Sequence, residues 1–354
     1  MYIFDRPKAK KLNSGLMELS RREMVKVGLG TAAASALLPL SELFAQTPLI
    51  TKAIPSSGEK IPIIGIGTDR FGWSGYAGSR EEHPELNGKE AGSPEVRAQL
   101  KEVVRQLAEL GGKMVDTASL YQNGASETLL GEFISELGNR DRLFLATKVN
   151  ATGKEAGIAQ IELSFRRLRT NRIDLIAVHL MNSTNVQLPT LREMKQAGRI
   201  RYVGITSGNG AEPTPEEIGR YGEIETILKT QKVDFLQVNY ALNNRKAADR
   251  LLPLAADRGV AVVANSPFSR EPHTTNLRLF NAIQNQTLPD WAAEFDCKSW
   301  GQFFLKYVVS HPAVTCSIPG TRTVVHLLDN IQVAQGRLPD AAMRRRMEQF
   351  IDKI

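Results

Sequence analysis

A carboxylic acid, a phenol, an amine and an imidazole follow one another along this chain as Asp116, Tyr121, Lys148 and His179. Each lies at or just past the end of an apolar run that reads as a β-strand, in KMVDTASLY, LFLATKV and IDLIAVHLMN. In a closed barrel of parallel strands the C-terminal ends share one mouth, where catalytic groups collect. Four such groups at one mouth make a proton-donating site. A phenol with an unperturbed pKa of about 10 is a slow acid at neutral pH. A neighbouring ammonium is expected to lower that value by stabilising the phenolate. Lys148 is placed to do this for Tyr121, Asp116 to keep the lysine charged, and His179 to polarise a carbonyl oxygen. Delivering a proton to that oxygen fits reduction of the carbonyl. The hydride must then come from a cofactor, since no side chain supplies one.

Taken singly, each residue has a plainer reading. Asp116 suits a turn at a strand end, Tyr121 a partly buried loop aromatic, Lys148 a solvated strand terminus, and His179 a core histidine bonded to a backbone carbonyl. Their coincidence on successive strand ends is what favours chemistry. A lysine at a strand end also suits a Schiff-base lyase, but that nucleophile must be neutral, and Asp116 and Tyr121 favour the charged form.

The elements that must position these groups are legible from about residue 53 onward. Strand-like runs at 61–67, 113–117, 143–149, 173–180, 200–206, 233–239, 260–265 and 314–318 alternate with amphipathic stretches. That alternation argues for a parallel α/β fold, and eight strands are the number that closes a (β/α)8 TIM barrel. Val96, Leu100, Val103, Val104, Leu107 and Leu110 form one helical stripe, opened by Ser93 as cap and Pro94 at the first position. Ile158, Ile161, Phe165 and Leu168 form another, with Arg166, Arg167 and Arg169 expected to point elsewhere. Met343, Met347, Phe350, Ile351 and Ile354 mark a C-terminal helix after Pro339. Two long stretches, 73–91 and 269–298, break the repeat and read as functional loops at the mouth.

Composition narrows the class. The chain has 354 residues, 42% of them hydrophobic, and a formal charge of +7. Seven basic and four acidic groups fall in the first 45 residues, and the rest of the excess is scattered, so no nucleic-acid footprint is expected. Cys297 and Cys316 cannot form a disulfide framework, and whether they bridge is not readable from the sequence. No metal-ligand spacing is visible. Ser20-Arg21-Arg22 opens an apolar stretch from Val27 to Leu40, ending near Ala45. The order of parts predicts a secretory segment over 1–45, resembling a twin-arginine signal read by the translocation machinery. The apolar run is shorter than the roughly 20 residues of a membrane span, so no stable span is expected after processing, although retention as an uncleaved anchor stays open. Export to the periplasm follows as an expectation, with 46–60 a linker and 61–354 the barrel. Gly28-Leu29-Gly30-Thr31-Ala32-Ala33 matches a dinucleotide glycine pattern by letter, but no strand precedes it, and it carries no weight.

The motifs together resemble the aldo-keto reductases. The match rests on Asp116-Thr117-Ala118 with Tyr121, Ser126-Glu127, Leu130-Gly131, Ala146-Thr147-Lys148, and Arg166-Arg167-Leu168 through Ile173-Asp174-Leu175 to His179. It continues in Gly198-Arg199-Ile200, Leu236-Gln237-Val238-Asn239-Tyr240 and Ile318-Pro319-Gly320. The resemblance implies a barrel that reduces small aldehydes and ketones with NADPH, with NAD as the alternative cofactor. It also implies cofactor contacts from Gly67, Thr68, Thr206, Ser207, Gln237, Asn265, Ser266, Phe268, Arg270, Thr321, Arg322, Thr323, Asp329 and Asn330. Gln237 would hold the nicotinamide carboxamide, and Arg322 a phosphate through its planar fork of donors. Asn265 stands where many members stack an aromatic ring, while Gly320 and His326 replace basic residues that grip the 2′-phosphate. Phe71, Trp73 and Tyr76 are candidate substrate-pocket residues. A non-catalytic NADP-binding redox sensor is the alternative function on the same fold.

Overall fold

Short buried strands separated by one-sided amphipathic segments can satisfy every face only by wrapping helices around a closed sheet. The computed structural model describes residues 48–71, 93–208, 215–270 and 277–354. The segment expected to be a secretory signal, and Trp73 and Tyr76, lie outside them. The chain opens with a hairpin, β1 (Thr51–Ala53) against β2 (Lys60–Pro62). The barrel strands follow: β3 (Ile66–Gly67), β4 (Met114–Asp116), β5 (Phe144–Val149), β6 (Ile173–Val178), β7 (Ile200–Thr206), β8 (Phe235–Asn239), β9 (Ala261–Asn265) and β10 (Val314–Ser317). Each pairs in parallel with the next. Parallel bridges Ile64–Ser317 and Gly67–Gly320 join the last strand to the first segment. The result is a (β/α)8 barrel.

The helices lie where the apolar stripes placed them. Helix α1 (Pro94–Glu109) buries Val96, Leu100, Val103, Val104 and Leu107, and the Ser93 hydroxyl accepts from Val96 N at 3.3 Å. It is followed by α2 (Ala125–Leu137), α3 (Lys154–Arg167), α4 (Thr184–Gln196), α5 (Pro215–Thr230) and α6 (Lys246–Asp257). Next come α7 (Arg278–Ala282), α8 (Trp300–Val309), α9 (Val324–Gln332) and α10 (Ala341–Ile351). Short α7 and a 3₁₀ turn at Asp290–Phe295 occupy the stretch read as a long loop. Helix α10 is capped by Asp340, whose carboxylate accepts from Met343 N at 2.8 Å.

Two expectations change. The segment 46–60 is not a linker throughout, because it carries β1 and the turn of the hairpin. Ile54 and Ile61 from this hairpin are fully buried among Phe144, Tyr202 and Phe235, whose strands begin there, so the hairpin plugs the N-terminal end of the barrel. The first barrel strand is correspondingly short, since Ile61 belongs to the plug and only Ile66–Gly67 forms regular ladder. Lys52 anchors the plug by donating to the carbonyls of Val309, His311 and Val314 at 2.8, 2.9 and 2.6 Å. Cys297 and Cys316 are buried free thiols rather than a bridge. Among the described residues no helix is long and apolar enough to cross a membrane, and no cluster could hold a metal ion.

Candidate active site

Asp116 ends β4, Lys148 lies one residue from the end of β5, and His179 directly follows β6. Parallel register sets their side chains at one mouth. Lys148 Nζ donates to Asp116 Oδ2 at 2.6 Å, to Thr117 O at 2.7 Å and to Tyr121 Oη at 3.3 Å. The Tyr121 and His179 rings stand edge to face, 6.2 Å between centroids. The four groups chosen from the sequence therefore converge.

Burial dominates the electrostatics. Burial alone would disfavour the Lys148 ammonium, but Asp116 and then Tyr121 outweigh it and hold its pKa above the ordinary lysine value. Burial pushes the Asp116 carboxyl up, against the pull of Lys148. The Tyr121 phenol is pushed up to about 12: burial is the main cause, Lys148 pulls it down, and Asp116 and Asp69 add to the rise. Lys148 does lower the phenol, as expected, but burial outweighs it, which corrects the expectation that the resting pKa is brought toward the neutral range. The ammonium is already neutralised by Asp116, so it offsets only part of the desolvation. Burial, then the Lys148 charge, lowers His179 to about 3. Neither ring nitrogen of His179 has a hydrogen-bond partner, although both are buried. A neutral imidazole with open nitrogens beside a phenol is suited to hold a substrate oxygen.

The loops that carry these groups are strained. Of the nine non-glycine residues with positive φ among the described residues, seven lie on loops after strands at this mouth: Gln122, Asn123, Leu180, Met181, Ser183, Ser266 and Ser269. Such conformations cost about 1–3 kcal/mol each and persist where the surroundings enforce them. Thr206 Oγ1 enforces one by accepting from Leu180 N at 2.8 Å, next to His179.

The expected cofactor residues divide into those that face the mouth and those that brace it. Gln237 Nε2 donates to Asp116 Oδ1 at 3.1 Å, which joins it to the Asp116–Lys148–Tyr121 network. Asn265 donates to Gly208 O at 3.2 Å and leaves a buried Oδ1 with no partner, an acceptor fit for an amide N–H. Ser207 is buried beside Gln237, its N–H on Gln237 O at 3.0 Å, and Ser266 adopts φ 50°. Arg270 pairs with Asp69 at 2.8 Å. Burial, then the charges of Arg270 and Arg322, lower Arg70, with Asp69 opposing, so Arg70 lies within electrostatic reach of two further guanidiniums. Their excess positive charge fits a phosphate-bearing cofactor. Gly67 and Gly320 bridge beside it, and a Cβ on Gly67 would lie 3.1 Å from Ile318 O.

Other residues act as struts. Thr68 is fully buried, its hydroxyl donating to Asp116 O at 3.1 Å and bonded to Ser126 at 2.9 Å. Thr321 accepts from Asn330 Nδ2 at 3.1 Å, and Thr323 caps α9 by accepting from His326 N at 3.2 Å. Asp329 accepts from Ser299 and Gln302 of the α8 cap, so its carboxylate faces that helix. The Phe268 ring packs edge to face on Phe280 at 5.2 Å. Phe71, expected at the substrate pocket, is fully buried in the core and packs against Phe133 of α2 at 6.5 Å. The sequence reading missed the Gln237–Asp116 bond and the pairing of buried Glu127 with Arg167, although both members of that pair stand inside quoted motifs.

Comparison with known proteins bears on the family and the fold. A family model described as the aldo/keto reductase family matches residues 64–350. The methylglyoxal reductase YeaE of Escherichia coli is 29% identical over 245 residues, 68% of this chain and 80% of that protein. The aldo-keto reductase YhdN of Bacillus subtilis is 25% identical over 60% of each. Among solved structures, the aldo-keto reductase AKR11C1 from Bacillus halodurans superposes with a TM-score of 0.63 at 22% identity, covering 86% of this chain and 96% of that one. An aldo-keto reductase from Klebsiella pneumoniae, solved in complex with NADPH, gives 0.64 at 22% identity over 86% and 95%. With its barrel, its converging acid, phenol, amine and imidazole, and a match spanning most of its length, this chain belongs to the aldo/keto reductase family.

Proposed function

We propose that this protein reduces a small aldehyde or ketone to the alcohol with NADPH, Tyr121 donating the proton. The observation that carries the reading is the contact of Lys148 Nζ with Tyr121 Oη at 3.3 Å, backed by Asp116 at 2.6 Å. A bound nicotinamide supplies the hydride. Arg70, Arg270 and Arg322 would hold its phosphates, and Asn265 and Gln237 its amide. His179, neutral, receives the carbonyl oxygen through a ring N–H and fixes its orientation toward Tyr121. Tyr121 releases its proton to that oxygen, and the Lys148 ammonium stabilises the phenolate left behind. A lysine held charged by Asp116 is the wrong form for a Schiff-base nucleophile, which counts against a lyase.

Rates of NADPH and NADH oxidation across short aldehydes, ketoses and dicarbonyls test this, with methylglyoxal included because YeaE carries that activity in its name. Turnover that falls about 10²–10⁴-fold in Tyr121→Phe supports the acid role. Absence of turnover on the whole panel would favour a redox-sensing subunit. We also propose that the protein leaves the cytoplasm by the twin-arginine route, on the strength of Arg21-Arg22 before an apolar stretch. Replacing both by lysine should trap it inside; unchanged fractionation removes the proposal.

A further inference from the structure

Tyr121 rides on a segment that few sequences would adopt unaided. Gln122 (φ 52°, ψ 43°) and Asn123 (φ 55°, ψ 33°) are both left-handed, and Gly124 follows at φ 90°. Consecutive left-handed residues that are not glycine cost about 1–2 kcal/mol apiece, so something outside the segment must hold them. The guanidinium of Arg167, at the end of α3, lies directly beneath. It donates to Ser119 O at 3.3 Å and to Asn123 O at 3.4 Å, spanning Tyr121 on both sides. Its closeness is visible at Gly124, where a Cβ would stand 2.0 Å from Arg167 Cζ.

The same guanidinium pairs at 3.4 Å with Glu127, whose side chain is fully buried. The other oxygen of Glu127 accepts from Thr147 Oγ1 at 2.7 Å, and Thr147 immediately precedes Lys148. Ser119 Oγ adds a bond to Lys148 O at 3.0 Å. One ion pair thus ties the loop of the phenol to the strand of the amine that serves it. We propose that Arg167 is a positioning residue for Tyr121, acting through the carbonyls of residues 119 and 123 and through Glu127 to set the Tyr121–Lys148 distance. The inference rests on Tyr121 being the proton donor.

The geometry makes a distinctive demand. Displacement of a reacting group by about 1 Å costs up to about a hundredfold in rate without weakening cofactor binding. Four variants therefore test it together: Arg167→Met, Arg167→Lys, the double Glu127→Gln/Arg167→Met, and Tyr121→Phe. Measurements are kcat, KM for NADPH, the pH profile of alcohol oxidation and the melting temperature. Arg167→Met should lose about ten- to a hundredfold in kcat with KM for NADPH changed less than about twofold, and Arg167→Lys should regain part of it. The double variant removes the buried carboxylate that loses its partner, so it should melt near the wild type while kcat stays low and the oxidation profile stays displaced. If kcat returns together with the melting temperature, Arg167 only neutralises Glu127 and the proposal is overturned. Full kcat in Arg167→Met overturns it as well. Should Tyr121→Phe keep its kcat, the proton-donor reading itself fails, whatever the arginine variants do. Loss in Tyr121→Phe with none at Arg167 condemns this inference alone.

Discussion

Tyr121 holds its proton more tightly than an isolated tyrosine does, and this fixes the pH behaviour in each direction of reaction. With the phenol pushed up to about 12, the donor form fills the neutral range. With Tyr121 as the proton donor proposed above, reduction should be nearly flat from roughly pH 6 to 9, because the protonated acid would be the working form. Alcohol oxidation needs the phenolate, whose fraction rises about tenfold per pH unit below the pKa, so its kcat should climb steeply over the same range. Stopped-flow rates of the chemical step in both directions would decide; a bell with an acidic limb near neutrality would contradict the assignment. His179 makes a second statement. Its pKa falls from the ordinary histidine value to about 3 on folding. The folded state then binds fewer protons than the unfolded one below about pH 6.5, so stability is full above that pH and is lost as pH falls toward 3. On the order of a few kcal/mol is at stake, and His179→Gln should flatten the acid limb of melting temperature against pH.

At the scale of elements, the site depends on close approach between neighbouring helices. A Cβ at Gly131 on α2 would lie 2.0 Å from Arg167 O, a backbone atom that cannot swing aside. Gly131→Ala should therefore push α2 from α3 and destabilise by about 1–3 kcal/mol or more. Because both helices flank the Tyr121 segment, kcat should drop as well. A circular-dichroism melt beside steady-state kinetics checks both, and an unshifted melt would refute the packing argument. The stripes Val96–Leu107 and Ile161–Leu168 were readable by period, since which residues face the sheet is a local matter. Arg167 was not: it shares the exposed register of Arg166 and Arg169, and only the arrival of α2 makes it an inward-facing partner.

On the scale of the whole molecule, the barrel has a working end and a closed end, and they should respond differently to damage. Ile54 of the hairpin plug is fully buried among the residues that begin the strands, at the end opposite the catalytic mouth. Ile54→Ala should cost about 2–5 kcal/mol of stability through the cavity it leaves. At temperatures where the variant remains folded, kcat and KM should match the wild type. Denaturant titration alongside kinetics tests this separation, and a parallel loss of kcat would show that the plug reaches the mouth. No period marked the hairpin, because three-residue strands carry too few alternations to be told from an extended connection.

What the sequence determined by itself was everything that local chemistry encodes: the alternation of strand and helix, the apolar stripes, the cap at Ser93, and the four groups at strand ends. Tertiary structure alone decided which polar side chains meet a partner and how far water is excluded. Asp329 and Phe268 turned to neighbouring helices, Phe71 to the core, and Gln237 to Asp116, although none of these destinations is a property of the residue's own segment. The phenol's high pKa belongs to the same class. Desolvation is set by every chain that closes over a group, and no spacing along one chain records it.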